Sequence, residues 1–277
     1  MKITVDENAG FCYGVQRAVD TAFDAALLPG EVWCLGKLIH NDDCMSKLAE
    51  RRIRVASSVE EIPDGASVII RAHGEPQSTY EALREKGCSV IDATCRFVEK
   101  IHKIAKNKSD EGCIIVIIGD RDHPEVRGIL GHCRDGYTVA DETDLLRLFN
   151  TVSADLPVCV VSQTTAGRKN AENIATKLKK HYTNCEIFDT ICNATSRRQS
   201  SAAALAAKCD GMIVIGGRDS SNTRRLFDVC REHCVNTVMV ENAEELDAAR
   251  FAGCEHIGIT AGASTPACII KEVHSKL

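Results

Sequence analysis

The sequence predicts an α/β protein made of three similar small lobes with largely parallel sheets, set around a pseudo-threefold axis with a central cavity. Two observations carry this. Short β-branched runs alternate with amphipathic stretches from one end of the chain to the other, the pattern of parallel strands joined by crossover helices. A strand ending in glycine also recurs three times, as VWCLGKLIHN, IIVIIGDRDHPE and MIVIGGRDSSN, which marks an internal repeat. In chain order the strand candidates are ITV at 3–5, VWCL at 32–35, SVIIR at 67–71, SVID at 89–92 and IIVII at 114–118. They continue with VCVV at 158–161, EIF at 186–188, MIVI at 212–215, TVMV at 237–240 and HIGIT at 256–260. Helices are expected between them, at 15–27, 78–86, 98–106, 169–181 and 245–252. Proline is sparse and no stretch reads as a flexible linker, so the lobes are joined tightly.

The repeat extends beyond the strands. Gly36, Gly119 and Gly216 are separated by 83 and 97 residues, and so are Cys12, Cys95 and Cys192 in the loops GFCYGV, DATCRF and DTICNA. Four positions beyond the glycines lie His40, His123 and Ser220. One further strand end per repeat carries His73 (RAHG), Thr164 and Thr165 (SQTTAG), or Ser264 (ITAGAST). In the third repeat no further strand with its own loop cysteine follows Ser264, and the N-terminal strand with its GFC loop supplies one if the threefold closes circularly. The expected lobes are 13–95, 96–192 and 193–277, the last completed by 1–12. In parallel sheets functional groups collect at the C-terminal strand ends, so such lobes would turn nine strand-end loops toward one cavity.

Composition excludes several function classes. The 277 residues carry 34 Lys and Arg against 39 Asp and Glu, a net charge of −5 with no basic excess for nucleic-acid phosphates or an anionic membrane. The longest apolar run, 113–118, is far too short to span a bilayer. Asp6 and Glu7 occupy the place of a signal peptide's apolar stretch, which points to the cytoplasm. The 15 cysteines are odd in number and dispersed, so they are expected to be reduced, most of them small buried hydrophobes rather than a disulfide framework. There is no C-x-x-C and no H-E-x-x-H; Cys230 and Cys234, beside His233, read as core and flank.

Each of the three repeated cysteines precedes a helical stretch, where unpaired N–H groups and the helix dipole favour a thiolate. Three thiolates suit a closed four-coordinate zinc site poorly. A 4Fe-4S cluster normally takes four cysteines, and one held by three leaves an iron open to act as a Lewis acid on a substrate oxygen. His40, His73, Ser220, Ser221, Asn222 and Ser264 are compact donors suited to phosphate oxygens. Glu125, in HPE, is the carboxylate beside a motif histidine; burial would raise its pKa and let it deliver a proton, which Thr164 could orient or relay. Each also has a plain structural reading, SSN as an ordinary N-cap and a loop histidine as surface.

Taken in order, GFCYGV, LIHN, AHG, DATC, HPEV, SQTT, DTICNATSRRQ, SSN and AGAST resemble the 4-hydroxy-3-methylbut-2-enyl diphosphate reductases of the non-mevalonate isoprenoid pathway, also called LytB or IspH. The resemblance covers essentially the whole chain. It implies a 4Fe-4S cluster ligated by Cys12, Cys95 and Cys192 with one open iron site. It also implies a diphosphate held by His40, His73, His123, Ser220, Asn222 and Ser264, with Ser221 beside them, and proton delivery by Glu125 and Thr164, with Thr165 adjacent. The implied reaction is reductive removal of the C4 hydroxyl, with Glu125 protonating the leaving oxygen and a ferredoxin or flavodoxin as electron donor. No G-x-G-x-x-G opens a helix, so a bound nicotinamide is not supported. Arg96 stands where the family commonly has Pro after the second cysteine, which should loosen that turn slightly without removing a ligand. The residues alone also fit a non-redox iron–sulfur dehydratase or isomerase, or a cluster-based sensor or zinc-stabilised binding module.

Overall fold

Parallel strands buried on both faces read as continuous apolar runs, and the structure, a computed structural model, places those runs at the centre of three sheets. It describes residues 1–39 and 41–277, with the side chains of residues 42 and 43 left aside. Strand β1 (Lys2–Val5) and helix α1 (Tyr13–Ala25) come first, then β2 (Val32–Leu35), α2 (Asp42–Ala49), β3 (Ile53–Ala56), β4 (Ser67–Ile70), α3 (Gln77–Glu85) and β5 (Ser89–Asp92). Next follow α4 (Arg96–Asp110), β6 (Ile114–Ile118), α5 (Pro124–Leu130), β7 (Gly136–Val139), α6 (Glu142–Thr151), β8 (Val158–Ser162), α7 (Arg168–His181) and β9 (Cys185–Ile187). The chain continues through α8 (Asn193–Ala206), β10 (Gly211–Ile215), α9 (Ser221–His233), β11 (Thr237–Val240), β12 (His256–Ala261) and α10 (Ala267–Lys276).

Among the described residues the strands form three four-stranded sheets, ordered β3-β2-β4-β5, β7-β6-β8-β9 and β11-β10-β12-β1. Every pairing is parallel, so all three sheets share one topology, and β1 supplies the fourth strand of the third by pairing with β12. By packing the chain divides into two compact units: 20–38 with 51–192, holding the first two sheets, and 1–19, 39–50 and 193–277, holding the third. No described helix is long and apolar enough to cross a membrane.

In the first unit, alternate residues of β6 point to opposite faces. Ile115 and Ile117 pack with Ile101 and Ala105 of α4 and Val126 and Ile129 of α5. Val116 and Ile118 pack with Leu145 and Leu148 of α6 and Ile174 and Leu178 of α7. The second unit repeats the arrangement, with Ile213 and Ile215 against Ile269 and Val273 of α10, and Met212 and Val214 against Ala202 of α8 and Leu226 of α9.

Three expectations need correction. The segment expected as a helix at 245–252 contains only a single 3₁₀ turn, Ala248–Phe251. Its polar side chains bond to nearby amides instead: Asn242 accepts from the Glu245 N–H, Glu245 from Glu241 and Asp247 from Ala249. The outer strands β3 and β7 were not anticipated, because IRVA and GYTV are short and only half buried. Most cysteines are not fully buried: six are, eight are partly exposed and Cys268 is exposed.

The closing strand is pinned by a buried bond, in which the Thr260 hydroxyl donates to the Asp6 carboxylate at 2.8 Å. Thr260→Val leaves that buried acceptor one donor short and is expected to destabilise the protein by about 1–3 kcal/mol, read as a lowered thermal unfolding midpoint.

Candidate active site

Three backbone bonds repeat in every sheet and put the motif residues at equivalent places. Gly36, Gly119 and Gly216 each donate an N–H to the last residue of the neighbouring outer strand, Ala56, Val139 and Val240, at 2.8, 3.1 and 2.9 Å. At the opposite edge Cys95, Cys192 and Cys12 donate to Ala72, Thr164 and Ala263, at 3.0, 3.0 and 3.2 Å. Between them the strand ends of β4, β8 and β12 turn through Arg71–Gly74, Gln163–Ala166 and Gly262–Thr265 bonds of 3.0, 3.0 and 3.1 Å.

In the unit holding the first two sheets, Pro124 opens α5 with its preset φ, and His123 caps that helix by accepting the Glu125 N–H on Nδ1 at 3.2 Å. The proton of a neutral His123 therefore rides on Nε2. Glu125 is 2% exposed and receives two bonds from Thr164, from the amide to Oε1 at 2.6 Å and from the hydroxyl to Oε2 at 2.7 Å. Desolvation pushes its pKa from 4.5 up to about 7, against the opposing pull of both Thr164 bonds. At neutral pH the group is poised to give or take a proton. The His73 ring meets the His123 ring edge-on, with centroids 5.3 Å apart. Thr164 also bonds outward, since its carbonyl accepts the Cys192 N–H.

The unit holding the third sheet collects a different set. Ser220 caps α9 by accepting the Thr223 N–H at 3.3 Å. Gly216, at φ +148°, leaves room that any Cβ would deny, 2.6 Å from Thr223 Oγ1. Among the described residues, the Asn222 amide oxygen and nitrogen and the Ser264 hydroxyl are buried without a hydrogen-bond partner. Native interiors rarely leave such groups unpaired, and each is open to bonding by a polar ligand atom. Ser221 is half-buried on the first turn of α9, and in the other unit Thr165 Oγ1 accepts from Gln163 at 2.9 Å. His40 lies outside the described residues.

All three repeated cysteines stand directly before a helix: Cys12 before α1, Cys95 as the N-cap of α4, Cys192 before α8. The Val15 N–H points at the Cys12 sulfur, 3.4 Å away, and all three residues are partly exposed. Burial raises other thiols, Cys34, Cys133, Cys159 and Cys230 to about 12 and Cys209 to about 11, keeping them protonated. Among the described residues no three His, Cys, Asp or Glu side chains form a metal-holding group. The donor chemistry of Cys12, Cys95 and Cys192, soft sulfurs at helix starts, fits an iron–sulfur group. α4 begins at Arg96 although proline is absent there, and the guanidinium lies over Phe97, 5.0 Å from the ring centroid.

Sequence reasoning missed two supporting residues. Arg198 is 4% exposed and donates to the carbonyls of Asn8 at 2.9 Å and Gly10 at 2.7 Å, tying the loop that leads to Cys12 onto α8. Gln163 accepts the Asp120 N–H at 3.1 Å and so joins two strand ends of the second sheet. Both lie inside quoted motifs, SRRQ and SQTT, and only the fold reveals their partners.

A family model described as LytB protein matches residues 3–277. The 4-hydroxy-3-methylbut-2-enyl diphosphate reductase of Caldanaerobacter subterraneus subsp. tengcongensis is 41% identical over 284 residues, covering 100% of this chain and 96% of that one. The enzyme of the same name from Geobacter sulfurreducens is 41% identical over 278 residues, covering 100% and 97%. Among solved structures, the E-1-hydroxy-2-methyl-but-2-enyl-4-diphosphate reductase from Plasmodium falciparum superposes with a TM-score of 0.94 at 28% identity, covering 99% of this chain and 87% of that one. A structure of (E)-4-hydroxy-3-methyl-but-2-enyl diphosphate reductase gives a TM-score of 0.72 at 39% identity, covering 100% and 99%. Fold and comparisons together define an α/β enzyme that buries a carboxyl group, Glu125, against Thr164 at the strand ends of its second sheet. The chain belongs to the LytB family, the 4-hydroxy-3-methylbut-2-enyl diphosphate reductases, and is an oxidoreductase. Membership implies an iron–sulfur cofactor.

The raised Glu125 pKa has a measurable sign. Between pH 4.5 and 7 the folded chain holds a proton that the unfolded chain has released, so the stability from protonated Glu125 is complete below 4.5 and lost as pH rises through 7. Urea midpoints of the native protein should therefore fall relative to those of Glu125→Gln across that window and run parallel above it.

Proposed function

We propose that this chain reductively removes the C4 hydroxyl of 4-hydroxy-3-methylbut-2-enyl diphosphate, taking up two electrons and two protons to give isopentenyl or dimethylallyl diphosphate and water. Family membership from residue 3 to 277 carries the reaction. What the geometry adds is an acid of suitable strength: Glu125, buried and held by Thr164.

When bound, a 4Fe-4S cluster with Cys12, Cys95 and Cys192 as its ligands supplies the electrons one at a time and an open iron as Lewis acid. Glu125 delivers the proton that lets the hydroxyl leave as water, and Thr164 keeps the carboxyl oriented through its hydroxyl and amide. His40, His73, His123, Ser220, Asn222 and Ser264, with Ser221 beside them, hold the diphosphate, and Thr165 meets the substrate next to Thr164. The partnerless polar atoms of Asn222 and Ser264 support that role. The lobe division at 13–95, 96–192 and 193–277 with 1–12 belongs to the same reading, supported by α4 and α8, which start just past Cys95 and Cys192 and pack on β6 and β12. A ferredoxin or flavodoxin brings the electrons, and the cytoplasm, which offers both, is the proposed location.

The deciding assay is anaerobic: cluster-loaded protein and a reduced viologen dye, followed for dye oxidation on addition of the substrate. Substrate-dependent oxidation is expected. Its absence in protein with verified cluster would overturn the reductase reading in favour of a non-redox dehydratase or a sensor. In the same assay Glu125→Gln should retain the cluster and lose roughly 100- to 10,000-fold in kcat. Ser264→Ala should instead raise KM, since its hydroxyl binds ground state and transition state alike.

A further inference from the structure

On α4, two turns beyond Cys95, sits a histidine that no motif singled out. We propose that His102 is a positioning residue: its imidazole, wedged between the Gly74 turn and Gly128 of α5, holds Glu125 against Thr164 and keeps His73 beside His123. The proposal rests on the reading of Glu125 as the proton donor.

The wedge is tight on both sides. A Cβ on Gly74, which stands at φ +70°, would come within 2.4 Å of His102 Cε1, and one on Gly128 within 3.3 Å of Nε2 and 3.5 Å of the Gly74 backbone. Ring, turn and helix therefore meet closely: the Gly74 position excludes a side chain, and a methyl at Gly128 would press on the imidazole. Gly128 lies three residues after Glu125, on the same face of α5. Gly74 follows His73 directly, so one ring sets the spacing between the helix that carries the acid and the turn that carries the histidine.

The ring itself is immobilised. His132 stacks on it with centroids 4.2 Å apart and planes 29° from parallel, and His132 is tied by its Nε2 to the Glu75 carbonyl at 3.2 Å. His102 is 6% exposed, and among the described residues its Nε2 has no hydrogen-bond partner, so at that edge the ring is placed by shape. Burial and the neighbouring His132 press its pKa down to about 3 against the pull of Glu99, while burial and Lys106 lower that of His132. The wedge thus stays neutral and keeps its form across the pH range in which Glu125, faced by His123 and Thr164, changes charge. Among the described residues no third ligating side chain joins the two imidazoles, so the pair is no metal site.

The test follows Glu125 directly. Its carboxylic-acid infrared band, identified by subtracting the Glu125→Gln spectrum, is titrated in the full-length protein carrying Gly128→Ala, His102→Ala, or both. Each single substitution is expected to let water reach Glu125 and to lower its midpoint by about one pH unit. Each should also cut kcat at least tenfold with KM little changed. The double variant should sit closer to the native midpoint than the sum of the single shifts, because the added methyl occupies space the imidazole vacated. Gly128→Ala alone decides the matter should His102→Ala not fold. An unmoved Glu125 midpoint in the folded single variants, or strictly additive shifts, would overturn the proposal. A shifted midpoint in protein that never oxidises the dye upholds the wedge and counts against the reductase reading alone.

Discussion

The bond between the N–H of a cysteine and the carbonyl at the end of the adjoining strand is the constraint on which the rest of this structure hangs. Made by Cys12, Cys95 and Cys192 in turn, it fixes where each sheet stops and the next helix starts. Because every strand pairing is parallel, each sheet's C-terminal ends lie along one edge, and whatever chemistry the chain owns must gather there. The second sheet shows the economy of the device. Thr164 accepts the Cys192 N–H with its carbonyl and turns its own N–H and hydroxyl to Glu125, so one residue secures a cysteine and a buried carboxyl together.

Charge in this molecule is managed by access to water. Glu125 is pushed toward its neutral form because little solvent reaches it, and the same effect keeps Cys34, Cys159 and Cys230 as thiols. A chain with fifteen cysteines can thus keep most of its sulfur inert while leaving Cys12, Cys95 and Cys192 partly open at helix starts. Asn222 and Ser264 differ: they are buried polar groups left unpaired among the described residues, where native interiors rarely leave any.

Much of this was legible in the residues, for reasons that can be named. The equal offsets of Gly36, Gly119 and Gly216 and of the three cysteines survive because the bonds they make are backbone bonds, which tie spacing to topology. Central strands such as IIVII declare themselves by being buried on both faces. IRVA and GYTV escaped notice because an outer strand needs only half that burial, and 245–252 misled because a string of acids and amides can satisfy amides without a helix. Supporting residues were hidden for a different reason. Arg198, Gln163 and His102 act through partners far away in the chain, and a side chain's partner is not written beside it.

The third sheet borrows its outer strand from the opposite end of the chain, with Asp6 and Thr260 lying 254 positions apart. During synthesis, at about 5–20 residues per second, Lys2–Val5 must therefore wait roughly ten to fifty seconds before β12 exists to receive it. Throughout that interval Cys12 lacks the Ala263 carbonyl that anchors it, whereas Cys95 and Cys192 are each made after the carbonyl that anchors them, Ala72 and Thr164. Anchoring of the three cysteines is in this sense ordered in time: the sulfur made first is the one positioned last.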